Sequence, residues 1–238
     1  MKTKLIIPAL AIASCLSLFS CKNKEESKSE MKTPVENKEA NEKTEGNTAL
    51  NVEDAKTKTI ADMQEAFKGE SNATARYAAF SKKAAEEGNK EIAMLFKAAS
   101  LAEKIHATNH KAVLEEMGVA TEPVVLDVVV KSTKENLEAA IKGESYEVAE
   151  MYPAFLKDAN AAGNQLALIS LNYAYKTEKK HKAYYEKALA ALNSNTVNTL
   201  PTTYYICPTC GNTYETTAPK RCGISMTGGE KFVTINSL

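Results

Sequence analysis

The chain has 238 residues and carries 30 Lys+Arg against 30 Asp+Glu. That length suits one bundle-sized domain with a small appendage, and the charge balance gives no reason to expect nucleic acid as a partner. Ala, Lys and Glu dominate, a composition suited to helices rather than sheets.

Residues 1–20 read as a targeting signal. Lys2 and Lys4 precede an apolar run from Leu5 to Phe19, too short and wrongly flanked for an ordinary membrane span. The run ends Leu18-Phe19-Ser20-Cys21, which resembles a bacterial lipoprotein cleavage site with Cys21 as the lipidated first residue. Ile12-Ala13-Ser14-Cys15 also fits that pattern but shortens the apolar segment severely. A plain secretory signal with Cys21 incidental is the other reading. A lipid on Cys21 would anchor the protein to a membrane, facing the periplasm or at the outer membrane. Residues 21–52 are nearly all Lys, Glu, Asn, Ser and Thr. They cannot bury enough apolar surface to offset their ordering entropy, which predicts a disordered tether.

Apolar stripes at helical spacing predict four helices within 53–193. The first carries Ile60, Met63, Phe67, Glu70, Thr74, Tyr77 and Ala84; the second Ile92, Leu95, Ala99, Glu103, His106, His110, Val113 and Met117. The third carries Leu137, Ile141, Glu144, Val148, Met151 and Phe155; the fourth Leu166, Ile169, Tyr173, Glu178, His181, Tyr185 and Leu189. Gly88-Asn89 and Gly163-Asn164 suit the left-handed residue that ends a helix, so each pair should be antiparallel. Between Gly118 and Lys131, Pro123 and a Val-rich run argue against helix. A connection of that length can carry the chain back along a bundle.

The stripes contain charged residues, and they recur. Lys68-Gly69-Glu70-Ser71 returns about 74 residues later as Lys142-Gly143-Glu144-Ser145, and Glu103-x-x-His106 returns as Glu178-x-x-His181. On a helix, E-x-x-H puts a carboxylate and an imidazole one turn apart on one face. Two such pairs, plus a Glu from each of two other helices, make the ligand set of a dinuclear iron or manganese site in ferritin-like bundles. Buried carboxylates are costly unless paired or metal-bound, so Glu70, Glu103, Glu144 and Glu178 are candidate ligands rather than solvated charges. His106 is a candidate ligand by its place in the motif. His110, one turn further on, is expected to be a polar core group or a donor behind the ligands.

The repeat has one offset. Glu70 to Tyr77 is seven residues, but Glu144 to Tyr152 is eight; from the following glycines onward the spacing is identical, fifteen residues to Glu103 and to Glu178. An extra residue inside a helix is commonly absorbed as a π-bulge, and these gather at functional sites. That segment contains Glu147, which has no counterpart in the first half.

After a linker at 194–203, residues 204–238 are too few to build a core unaided. They open Cys207-Pro-Thr-Cys210-Gly211, a metal-knuckle pattern, and continue to Cys222 and Phe232.

Gly69-Glu70-Ser71, the two E-x-x-H pairs, Gly143-Glu144-x-x-Glu147, Met151-Tyr152-Pro153 and Cys-Pro-x-Cys-Gly together resemble rubrerythrin, a non-haem di-iron peroxidase with a C-terminal rubredoxin-like module. The resemblance covers about residue 54 to the C-terminus. It implies an all-α, ferritin-like four-helix bundle with one long crossover, plus that small module. It implies Glu70, Glu103, Glu144, Glu147, Glu178 and His181 as iron ligands, with His106 replacing Glu147 when one iron moves with oxidation state. Tyr77 and Tyr152 match tyrosines beside the ligands. It further implies hydrogen peroxide as substrate, an external electron donor acting through the module, and a homodimer.

The module departs from the pattern. Rubredoxin-type iron needs four thiolates from two C-x-x-C knuckles, but the second knuckle here reads Cys222-Gly-Ile-Ser225. A serine alkoxide or a water could complete an iron site at Cys207, Cys210 and Cys222. Zinc could replace the iron, or Cys207 and Cys210 could be oxidised, as export would favour. A different function class is also open: a ferroxidase or iron-binding protein would use the same bundle ligands without peroxidase turnover.

Overall fold

A computed structural model of the chain describes residues 51–238; the predicted signal at 1–20, Cys21 and nearly all of the predicted tether lie outside the described residues. Among those described, no helix is long and apolar enough to cross a membrane.

The fold is the expected ferritin-like bundle of four rods. Helix α1 (Val52–Glu86) begins one residue inside the stretch read as tether, where the Asn51 side chain accepts from the Glu53 amide. It runs antiparallel to α2 (Lys90–Glu116). The joint is Gly88, at φ +82, and Gly163 (φ +67) closes the equivalent joint in the second half. In both, the residue after the glycine donates its amide back into the preceding helix, Asn89 to Ala84 and Asn164 to Ala159. The left-handed backbone this needs is strained for any residue with a Cβ.

The third rod is broken into three pieces: α3 (Thr133–Tyr146), a π-helical turn (Glu147–Met151) and α4 (Tyr152–Ala161). The π-turn is where the repeat offset places the extra residue. The fourth rod, α5 (Gln165–Asn193), completes the bundle. Between the halves, residues 119–132 form neither helix nor strand. Asn72 on α1 pins this crossover by accepting the Asp127 amide at 2.8 Å, and a capping box at Ser132 and Glu135 starts α3.

The stripes of α1, α2 and the third rod face inward as predicted, but the first part of α5 does not. Leu166 and Ile169 are about half exposed, whereas Ala167, Ser170, Leu171 and Ala174 are buried. The segment is apolar on two sides, and the small side chains take the inner one. From Glu178 onward the predicted face is correct, with Glu178, His181 and Tyr185 fully buried.

Past α5, a 3-10 turn (Val197–Thr199) leads into three short strands, β1 (Tyr204–Ile206), β2 (Thr213–Glu215) and β3 (Val233–Ile235). They form an antiparallel sheet in the order β2-β1-β3. This tail lies against α2 and α5. Tyr204 and Ile206 share a hydrophobic cluster with Phe80, Phe96 and Tyr185 of the bundle, which supplies the core so small a module cannot build alone.

Candidate metal centre

Six charged or ionisable side chains meet in the bundle interior, and all six are essentially inaccessible to solvent: Glu70, Glu103, His106, Glu144, Glu178 and His181. Their ligand atoms form two overlapping groups. Glu70, Glu103, His106 and Glu178 make one, and Glu103, Glu144, Glu178 and His181 the other, each with its atoms within 4.8 Å of one another. Glu103 and Glu178 belong to both.

The tail determines how the two imidazoles face this cluster. The carbonyl of Cys210 accepts from His106 Nε2 at 3.1 Å, so the His106 Nδ1 lone pair points at the carboxylates. Thr213 donates its hydroxyl proton to the Gly211 carbonyl, leaving its oxygen to accept from His181 Nε2 at 3.0 Å. Again Nδ1 is left facing inward. These Nδ1 atoms sit 2.8 Å from Glu178 Oε1 and 2.9 Å from Glu103 Oε2 for His106, and 2.8–3.0 Å from Glu178 and Glu103 for His181. A nitrogen lone pair at that distance from an anionic oxygen is repulsive unless a proton or a metal ion lies between them. Both carboxylate oxygens of Glu103, Glu144 Oε2, Glu178 Oε1 and His106 Nδ1 are buried without a hydrogen-bond partner. This donor set fits two metal ions.

The electrostatics agree. Burial and the neighbouring carboxylates push Glu70 and Glu144 well above the usual carboxylate range. Burial acts the same way on Glu103, but His181 and His106 beside it outweigh that and hold it at about 2. Burial alone would lower both histidines; the carboxylates, chiefly Glu178 for His106 and Glu103 for His181, raise His106 well above its ordinary value and His181 to about 9. Protein without metal therefore carries protons on these imidazoles, and metal binding releases them.

Two tyrosines brace the cluster from outside. Tyr77 donates to Glu144 Oε1 at 2.8 Å, and Tyr152 donates to Glu70 Oε1. His110 does not reach the cluster. Its Nε2 lies 3.3 Å from the Tyr152 hydroxyl and its Nδ1 2.8 Å from Ser170 Oγ. Burial, then the charge of His106, lower His110 to about 3, so it is neutral, with one ring nitrogen donating and the other accepting. Tyr152 gives its own proton to Glu70, so His110 Nε2 donates to Tyr152 and Nδ1 accepts from Ser170. The result is a directed chain from Ser170 through His110 and Tyr152 to Glu70.

Glu147 stands apart from both groups. It begins the π-turn, half-buried, where burial and the charges of Glu178 and Glu103 raise its carboxyl and Arg76 lowers it. The arrangement has His106 on the cluster and Glu147 off it, one of the two states the resemblance implies.

In the tail, Cys207, Cys210 and Cys222 are buried, mutually close and free, with no disulfide between Cys207 and Cys210. Tyr173, Tyr214, Ile224 and Phe232 pack around them, and the Tyr214 and Phe232 rings stack at 5.5 Å. Sequence reasoning missed four contributors. The Cys210 carbonyl and Thr213 act through a docking that no local pattern encodes. Ser170 lay outside the stripe assigned to α5. Tyr185 was read only as core, yet its buried hydroxyl has no partner and feels the charges of Glu144 and Glu103.

A four-rod bundle with a duplicated carboxylate–histidine set at its centre defines a ferritin-like metalloprotein. The rubrerythrin family model matches residues 62–189, more than half of the chain, and the chain belongs to the rubrerythrin family. It is 34% identical over 185 residues to nigerythrin of Nitratidesulfovibrio vulgaris, spanning 76% of this chain and 90% of that one. It is 34% identical over 172 residues to rubrerythrin-2 of Clostridium acetobutylicum, spanning 71% and 92%. The solved structure of fully reduced, all-ferrous nigerythrin superposes with a TM-score of 0.68 at 31% identity, over 74% of this chain and 86% of that one. A Desulfovibrio desulfuricans bacterioferritin, at TM-score 0.56 and 24% identity, shares the fold. The family carries a di-iron centre, and this chain presents the glutamate–histidine cluster and a three-cysteine site. It is an iron-dependent protein of the oxidative-stress class.

Proposed function

We propose that the protein reduces hydrogen peroxide to water at a di-iron centre, drawing electrons from an external donor through the tail. Glu70, Glu103, His106 and Glu178 would hold one iron, and Glu103, Glu144, Glu178 and His181 the other. Glu147 would replace His106 when the centre is oxidised. The observation that supports this reading is the pair of overlapping groups, because two sites sharing Glu103 and Glu178 would hold two metals side by side, as a substrate with two bonded oxygens requires.

When bound, the two ferrous ions supply one electron each and act as Lewis acids on the peroxide oxygens. The chain's own residues do the remaining work. Each peroxide takes up two electrons and two protons and leaves as two waters, so protons must be held near the reacting oxygens. Tyr152 holds one on Glu70, backed by His110 and Ser170, and Tyr77 holds another on Glu144. Burial of all six ligands excludes bulk water, which strengthens every charge interaction within. The His106–Cys210 hydrogen bond joins the cysteine site to the cluster by covalent bonds and one short polar contact, a direct route for electrons.

Iron-loaded protein given peroxide and a chemical reductant should consume peroxide continuously. Glu103→Ala and Glu178→Ala should each lose both irons and this turnover. Iron oxidation that stops once both sites are ferric would instead mark an iron-binding protein. Variants that keep two irons per chain and full turnover would remove the ligand assignment. The reading extends to a homodimer, testable by sedimentation, and to a lipid on Cys21 facing the periplasm or at the outer membrane, testable by mass spectrometry of membrane-extracted protein.

A further inference from the structure

We propose that Ser225 is the fourth ligand of a single tetrahedral metal ion held by Cys207, Cys210 and Cys222, so that the tail carries a three-sulfur, one-oxygen site for iron or zinc. The proposal is independent of what the bundle does.

Geometry comes first. Ser225 Oγ lies 3.2 Å from Cys207 Sγ, and Cys210 Sγ lies 3.4 Å from Cys222 Sγ. These contacts share no atom, so they are opposite edges of a four-cornered group. Metal–sulfur bonds of about 2.3 Å and metal–oxygen bonds of about 2.0–2.2 Å give tetrahedral edges of about 3.8 Å between sulfurs and about 3.6 Å between sulfur and oxygen. Both measured edges, 3.2 Å and 3.4 Å, are about 0.4 Å shorter than those lengths, so the four atoms need only spread slightly to admit an ion. Serine has replaced cysteine in sequence while its oxygen has kept the corner.

Hydrogen-bond accounting then orients the hydroxyl. Thr227 Oγ1 donates to Thr209 Oγ1 at 2.8 Å, which commits its one proton. Ser225 Oγ is 2.8 Å from Thr227 Oγ1, so in that contact serine is the donor. One of its lone pairs takes the Thr227 amide at 3.5 Å, and the other is left to face the sulfurs, with Cys207 Sγ at 3.2 Å. The chain Ser225–Thr227–Thr209 ends at an exposed residue, giving the serine proton a way out when the oxygen binds a cation. The sulfurs are prepared as well. Cys222 Sγ accepts from the Ile224 amide, Asn212 Nδ2 and the Tyr214 hydroxyl at 3.4–3.6 Å, which favours thiolate over thiol.

Cobalt(II) is the probe, since sulfur-to-cobalt absorption in the near ultraviolet counts bound thiolates and the carboxylate–histidine cluster contributes none. Full-length protein carrying Cys15→Ser and Cys21→Ser confines the signal to the tail. Cobalt should give a three-thiolate band, and Ser225→Cys should raise it by about one third as four thiolates replace three. Ser225→Ala should weaken cobalt binding at the tail by about tenfold or more, because losing even a supporting partner of a ligand costs that much. Cadmium-113 resonances of the same protein, sensitive to sulfur against oxygen ligation, give a second reading that needs no variant. An unchanged spectrum and affinity in Ser225→Ala would overturn the proposal, as would a cadmium signal of pure sulfur ligation. So would the absence of any thiolate band at saturating cobalt.

Discussion

Gly211 packs against His106 of the metal cluster, and replacing it with alanine tests whether that docking matters. Gly211 sits at φ +74, and a Cβ added there would lie 2.3 Å from His106 Nε2, 2.7 Å from His106 Cδ2 and 3.0 Å from the Ala102 carbonyl. The left-handed backbone alone costs an alanine about 1–2 kcal/mol. His106 cannot swing aside without leaving Glu103 and Glu178, and the Ala102 carbonyl belongs to helix α2. The tail must therefore withdraw by about 1 Å to restore ordinary contact. That carries the 3.1 Å bond between His106 Nε2 and the Cys210 carbonyl out of hydrogen-bonding range, a further loss of about 0.5–1.5 kcal/mol. The sum, about 1.5–3.5 kcal/mol, shifts the docking equilibrium by about 10- to 300-fold. Amide hydrogen exchange over residues 204–215 should accelerate by that factor, and the His106 Nε2 proton should lose its hydrogen-bonded shift in NMR spectra. Gly223→Ala is the control, because its Cβ would meet only the Tyr214 hydroxyl at 3.7 Å. Native-like protection of the tail in Gly211→Ala would show that the His106 contact does not hold the tail in place.

Two further outcomes are expected. Glu147→Ala should leave the reduced protein loaded with two irons, since Glu147 lies outside both ligand groups, yet slow peroxide turnover by removing the carboxylate assigned to the oxidised state; stopped-flow kinetics at full iron loading would show this, and an unchanged rate would remove the redox-linked role. Asp62, buried beside Asp158 with Lys58 paired to the latter, is raised from 3.8 to about 6 by burial and by the Asp158 charge. A carboxyl raised on folding contributes stability that is full below its unfolded value and lost as pH rises through the folded one. Its contribution should therefore decline between about pH 4 and pH 6. Asp62→Asn should abolish that decline and be about 1–2 kcal/mol more stable than the native protein at pH 8, after discounting for solvent screening. Urea melts at pH 4 and pH 8 would decide it, and an equal stability gap at both would refute it.

Local pattern decided much of this protein. Each E-x-x-H pair is a single helical turn, so the facing of Glu103 with His106, and of Glu178 with His181, follows from spacing alone. The one-residue offset between the halves placed the π-turn at Glu147–Met151, because a helix can absorb an extra residue only by widening a turn. The glycines at 88 and 163 marked the joints because few other residues hold a positive φ. Early α5 was misread because a segment apolar on two sides has no unique inner face until its neighbours are present, and the small residues Ala167, Ser170 and Ala174 then take it. Whether His106 or Glu147 faces the metals is likewise not a property of spacing, since either can be accommodated by the same helices. Only the tertiary structure laid the tail across α2 and α5, bringing the Cys210 carbonyl to His106 and Thr213 to His181. Those contacts join residues 104 and 32 positions apart, and they set the imidazole tautomers. A hydrogen bond depends on where two atoms end up in space, and no periodicity along one helix carries that information.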